Sequence, residues 1–154
     1  MKIVSACLVG LCTNYQGKHN ALPELVALFN AGELIPVCPE QLGGLPTPRL
    51  PAEIVDGCSK SVLIREAKVL QTDGTDVTEA FLRGAAQVLI IARSLGPEYI
   101  VFKERSPSCG VHWIYDGGHT GTLSRSCGVT TALLRQNGFK VISDEDFLRG
   151  EDRQ

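Results

Sequence analysis

Short apolar runs alternate along this chain with stretches of helical spacing, an order few folds can accept. Lys2–Ala6, Leu34–Val37, Tyr99–Phe102 and Lys140–Ile142 have the length and composition of buried strands. Between the first two, Leu22–Asn30 reads as a helix, with Asn20 as its cap, Pro23 in its first turn and Gly32 at its stop. Asp76 and Glu79 have the spacing of a capping box, and Val77, Ala80, Phe81, Ala85, Val88, Leu89, Ala92 and Leu95 recur at helical spacing up to Gly96-Pro97. Val129–Asn137 is a further short helix, and Asp144–Leu148 a closing helical turn. Strand and helix in repeated succession predict an α/β fold in three layers, a mostly parallel sheet covered on both faces. Two segments are expected to stand apart from that repeat. Pro39–Pro51, with four prolines, should be a loop of fixed shape, and Val62–Ile64 with Lys68–Leu70 an edge hairpin.

With 154 residues, 44% apolar and 21% charged, the chain fits one self-sufficient domain over residues 1–154 and is not disordered. Its net charge is −2 with scattered Lys and Arg, so the basic face that a nucleic-acid binder needs is not expected. The apolar stretch at the N-terminus gives way to Thr13-Asn14-Tyr15-Gln16 too early for a signal peptide, and nowhere does an apolar run reach the roughly 18 residues of a membrane span. A soluble, cytoplasmic protein is expected, monomeric or weakly homodimeric.

Six cysteines are many for such a chain. Buried thiols without a ligand are the plain alternative. Without a secretory signal, metal or redox chemistry is favoured over a disulfide framework. Placement separates the six into two groups. Cys7 follows the first strand, Cys38 the second, and Cys109 sits in the loop Lys103–Gly110 after the strand Tyr99–Phe102. In a parallel sheet the carboxyl ends of the strands share one edge, where ligands bind. The fold is therefore expected to gather these three thiols into one site, although 31 and 71 positions separate them. Three thiolates without a nearby His favour soft-metal chemistry. A closed zinc site would normally show closely paired cysteines, which are missing. Cys12 is near enough to Cys7 to be a fourth ligand or a redox partner, while Cys58 and Cys127 read as structural.

Several segments, in order along nearly the whole chain, resemble the thiouracil desulfurase family. They are Ser5-Ala6-Cys7-Leu8-Val9-Gly10, Val37-Cys38-Pro39-Glu40 continuing to Gly43-Gly44-Leu45-Pro46-Thr47-Pro48-Arg49, and Lys103-Glu104-Arg105-Ser106-Pro107-Ser108-Cys109-Gly110. Ile114-Tyr115-Asp116-Gly117, Gly121-Thr122 and Gly128-Val129-Thr130 continue the match. The resemblance implies a single Rossmann-like domain with a 4Fe–4S cluster held by three cysteines, Cys7, Cys38 and Cys109. The open iron would take the sulfur of a small-molecule thio-nucleobase such as 2-thiouracil, giving the oxo-base and sulfide without net electron transfer. The resemblance further assigns catalytic assistance to Glu40 and Ser106. Taken without it, Glu40 reads equally as a loop charge and Ser106 as a turn residue before proline. Arg49 and Lys18 are candidate partners for polar substrate atoms.

One departure stands out. Where the family has Arg-Tyr-Asp-Gly after the first ligand, this chain has Asn14-Tyr15-Gln16-Gly17, and two neutral amides cannot form an ion pair. A non-catalytic iron–sulfur or zinc-binding module therefore stays as the alternative to an enzyme, and a redox pair of Cys7 with Cys12 as a third reading.

Overall fold

The computed structural model describes residues 1–151. Strand β1 (Lys2–Ser5) runs into a 3₁₀ turn over Ala6–Val9, followed by α1 (Pro23–Asn30), β2 (Leu34–Val37) and the short α2 (Pro39–Leu42). Next come β3 (Ala52–Val55), α3 (Ser59–Leu63), β4 (Lys68–Gln71), the long α4 (Thr78–Leu95) and β5 (Ile100–Phe102). The described order ends with β6 (Trp113–Tyr115), β7 (Leu123–Arg125), α5 (Val129–Gln136), β8 (Val141–Ser143) and α6 (Asp144–Leu148).

The central sheet has the order β2-β1-β5-β8, and every pairing in it is parallel. Side chains alternate between its faces, as the period of two requires. Ile3, Ile100, Phe102 and Val141 point to α4 and α5, packing on Val88, Leu89, Ala92 and Leu134. Val4, Val101 and Ile142 point the other way, against Leu25 of α1 and Phe147 of α6. These are the three layers that the alternation predicted. A fully buried side chain of this kind contributes about 1.5–3 kcal/mol, so the two faces hold the sheet in place.

From β1 the chain crosses by α1 to β2 on one side, while β5 pairs on the other side of β1. The direction of winding thus reverses between β1 and β5. Outside the carboxyl ends of strands at such a reversal, a parallel sheet leaves a crevice.

Two small antiparallel ribbons flank the sheet, β3 with β4 and β6 with β7. The first differs from the expected hairpin. Val62 and Leu63 lie in α3, whose start is closed by the Ser61 hydroxyl taking the Cys58 N–H at 3.4 Å. The partner of β4 is instead Ala52–Val55, where Glu53 interrupts the apolar pattern although it is buried. Pro39–Pro51 likewise is more than a loop, since α2 occupies its first residues. Asp76 does not close a capping box; it accepts the Thr78 N–H at 2.9 Å while Val77 takes the cap position. Asn20 is not the cap of α1, a position held by Leu22.

The crossing of α2 over α4 depends on two glycines. A Cβ at Gly43 would stand 2.0 Å from the Ala80 carbonyl oxygen, and one at Gly84 1.9 Å from that of Pro39. Among the described residues, no helix is long and apolar enough to cross a membrane.

Candidate functional site

Each strand ending at the reversal delivers one cysteine. Cys7 lies in the 3₁₀ turn after β1, which Gly10 closes with φ +96°. Cys38 is the residue before α2, with Pro39 opening that helix. Cys109 follows β5 in a loop built around Glu104, a carboxylate with almost no exposure. Glu104 Oε1 accepts the N–H groups of Val111, His112 and Trp113 at 2.7, 3.0 and 3.1 Å. The Glu104 N–H itself donates to Asp144 at 2.7 Å. Backbone donors that a loop would otherwise leave unpaired thus converge on one side chain. Gly128 completes the cradle, because a Cβ there would stand 2.3 Å from the Ser108 carbonyl carbon and 2.7 Å from the Cys109 nitrogen.

Cys7, Cys38 and Cys109 line one pocket of about 550 Å³, together with Glu40, Ser106 and Arg49. All five predicted site residues are therefore brought together. Lys18 is not on that wall. Burial pushes the Cys7 thiol above its ordinary pKa, with the Asn20 side chain opposing it. Cys38 is also raised by burial, against the N–H groups of Gln41 and Glu40 at the start of α2. Cys109, the most deeply buried, is raised furthest, with the Ser5 and Ser108 hydroxyls opposing. Burial outweighs the Lys103 charge near Cys7 and the Arg49 charge near Cys38, so the neutral thiol is favoured at all three. Each nevertheless has a donor at hand for a negative sulfur: Asn20 for Cys7, Arg49 Nη2 at 4.0 Å for Cys38, and the Ser5 hydroxyl for Cys109.

Three thiols on one pocket wall are a donor set of the kind an iron–sulfur cluster takes. Among the described residues, no three His, Cys, Asp or Glu side chains converge on one ion position. A structural zinc site requires that convergence. A cluster instead binds its thiolates at different irons and is tuned by hydrogen bonds to sulfur.

Beside the thiols, Glu40 in the first turn of α2 is anchored from two directions. Arg49 Nε donates to its Oε1 at 3.2 Å, and the Ser108 hydroxyl donates to its Oε2 at 3.2 Å. Arg49 is itself pinned, donating to the Thr13 carbonyl at 3.0 Å and the Thr47 hydroxyl at 3.0 Å, with a side chain only 3% exposed. So Glu40 is no free loop charge. Ser106 has a double part: its oxygen accepts the N–H groups of Ser108 at 3.3 Å and Cys109 at 3.1 Å, which is turn chemistry, and it also faces the pocket.

Sequence reading alone missed Glu53 and His119, which carry no recognisable pattern, and took Ser108 as one of the hydroxyls able to donate to the Cys109 sulfur, not as a partner of Glu40. It gave Asn20 the wrong task, since this residue serves Cys7 rather than a helix. Asn14 and Gln16 line the pocket, and the Asn14 side chain is consumed in shaping its loop, accepting the N–H groups of Gln16 at 3.1 Å and Lys18 at 2.8 Å. Cys12 is exposed and off the pocket wall. Cys58 is exposed, and half-buried Cys127 lies 3.4 Å from the Ser59 hydroxyl, both away from the pocket.

Comparison with known proteins agrees over almost the full length. YbbK of Bacillus subtilis (strain 168), an uncharacterised protein, is 42% identical over 147 residues, which cover 96% of this chain and 97% of YbbK. The solved structure of the 4Fe-4S-dependent thiouracil desulfidase TudS matches with a TM-score of 0.84 at 40% identity, covering 96% of this chain and 92% of TudS. The sequence profile of the 2-thiouracil desulfurase family matches residues 3–146. The chain belongs to the 2-thiouracil desulfurase family.

Proposed function

We propose that this protein is a desulfidase that converts a thiolated pyrimidine and water into the oxo-base and sulfide. The C=S bond is replaced by C=O, water supplies the oxygen and both protons of the sulfide formed, and no electrons are gained or lost. The observation that carries this reading is the meeting of three thiols from three strand ends with an anchored carboxylate in one pocket. The dependence of TudS on a 4Fe-4S cluster supports it.

Cys7, Cys38 and Cys109 would hold the cluster. When bound, it would supply a soft Lewis acid for a thiocarbonyl sulfur, and the C=S carbon is a poor target for water until that sulfur is polarised. The protein's own groups do the rest. Glu40, held still by Arg49 and Ser108, takes the proton of the attacking water. The Ser106 hydroxyl, 3.1 Å from that of Ser108, would turn its hydrogen from Ser108 to orient substrate or water. The apolar parts of the wall, among them Val37, Pro39 and Pro107, strip the ring of water.

Anaerobically reconstituted protein should release sulfide and uracil in equal amounts from 2-thiouracil. If 2-thiouracil, 4-thiouracil and thiouridine all give no sulfide, the reading is wrong.

A further inference from the structure

A second polar cluster stands on the pocket wall, bonded to neither the thiols nor Glu40, and the chemistry above leaves it unused. Glu53 on β3 is a carboxylate whose side chain is only 10% exposed. Its Oε1 accepts the Gly117 N–H at 2.9 Å and the His119 N–H at 3.3 Å, so it fastens the turn between β6 and β7 to β3. The fit there is close, since a Cβ on Gly117 would stand 2.4 Å from the Ile54 carbonyl oxygen. Its other oxygen, Oε2, lies 3.3 Å from His119 Nδ1. Both Glu53 and His119 line the pocket.

A carboxylate at Nδ1 places the proton of a neutral imidazole on that nitrogen and leaves Nε2 as an acceptor. His119 is also held at φ +53°, in the left-handed region that a residue of this kind enters at a cost. A histidine held in this posture by a buried carboxylate on the pocket wall is available to a ligand there.

We propose that His119 is a substrate-contacting residue whose Nε2 accepts a ring N–H of the pyrimidine, and that Glu53 is the positioning residue that fixes its tautomer. This specificity element deepens the desulfidase reading and rests on it for the class of ligand. A free pyrimidine offers ring N–H groups, whereas an N-substituted ring has lost one of them, so the contact would select among thiolated bases.

The test uses anaerobically reconstituted protein and the binding of uracil, 1-methyluracil and 3-methyluracil, measured by calorimetry, beside the KM and kcat for 2-thiouracil. His119→Gly and His119→Asn suit the left-handed backbone and remove the imidazole without strain. Uracil affinity should fall about tenfold in both, the worth of one hydrogen bond. KM for 2-thiouracil should rise by a similar factor, with kcat changed less. In the wild type, one N-methyluracil should bind about tenfold worse than uracil, and that difference should shrink in His119→Gly. Glu53→Gln should weaken uracil about as much as His119→Gly, and add nothing when combined with it. Unchanged uracil affinity in both His119 variants would overturn the proposal, as would a wild type that binds no uracil. A wild type that binds uracil through His119 yet frees no sulfide from 2-thiouracil would contradict the desulfidase reading instead.

Discussion

Two partners share the carboxylate of Glu40. Arg49 and Ser108 occupy one oxygen each, so the group is fixed without being enclosed. Removing its basicity while keeping its shape separates chemistry from structure. Glu40→Gln is expected to lower kcat by about 10²–10⁴, the usual worth of a general base, with iron content unchanged; stopped assays of sulfide release against iron analysis check both. Glu104 shows the opposite kind of importance. Its carboxylate satisfies the N–H groups of Val111, His112 and Trp113, and an alanine there would leave one buried and two part-buried donors unpaired. A buried one costs about 1–3 kcal/mol, so Glu104→Ala should lose at least that much in urea unfolding and load iron poorly, because the Cys109 loop loses its anchor. At this scale the chain was partly legible. Cysteines at strand ends could be found by position, but Glu104 and Glu53 could not, because a buried carboxylate surrounded by backbone N–H groups leaves no periodic trace. Arg49 was legible as a candidate partner for polar substrate atoms; its hold on Glu40 exists only after folding.

Among the elements, those with strong periodicity formed where the pattern put them, α4 above all, with Phe81, Ala85, Val88 and Ala92 on its buried side. Short elements without period were the failures. Ser59–Leu63 became helix because its first turn is capped locally, and β3 was hidden by prolines before it and a charge within it. The helix crossing at Gly84 tests how closely α4 governs the site. Gly84→Ala should cost about 1–3 kcal/mol or more through overpacking and displace α2, which carries Cys38 and Glu40; a thermal melt and the iron content together report it. The last strand and helix carry a pH-dependent clamp. Asp146 accepts the Ser143 N–H at 3.0 Å and His112 Nε2 at 2.7 Å, and its own N–H donates to the Ser143 hydroxyl at 2.9 Å. Burial pushes its carboxyl up, but the Ser143 backbone, the His112 ring and the Ser143 hydroxyl outweigh burial and hold it below the usual range. An acid with a depressed folded pKa stabilises the fold above the unfolded value, near 3.9, and loses that contribution as pH falls through the folded one. Melting temperatures of wild type and Asp146→Asn should therefore differ at pH 7 and converge toward pH 3.

For the whole molecule, one topological fact makes the site: the winding reverses between β1 and β5, so the ends of β1, β2 and β5 open on the same crevice. That arrangement was legible from four apolar runs and the helices between them, since a parallel sheet leaves its strand ends little choice of edge. The two flanking ribbons were less legible, yet they bring Glu53 and His119 to the pocket wall, which is why those two residues escaped the sequence. The central claim is that Cys7, Cys38 and Cys109 together hold a multi-iron centre. Anaerobic purification followed by iron and acid-labile sulfide analysis tests it most directly, with Cys12→Ser and Cys38→Ser beside the wild type. The account predicts about four irons and four sulfides per chain in the wild type, the content of one cubane cluster, nearly the same in Cys12→Ser, and little of either in Cys38→Ser. Iron retained in full by Cys38→Ser, or a wild type that binds zinc and no iron, would contradict it.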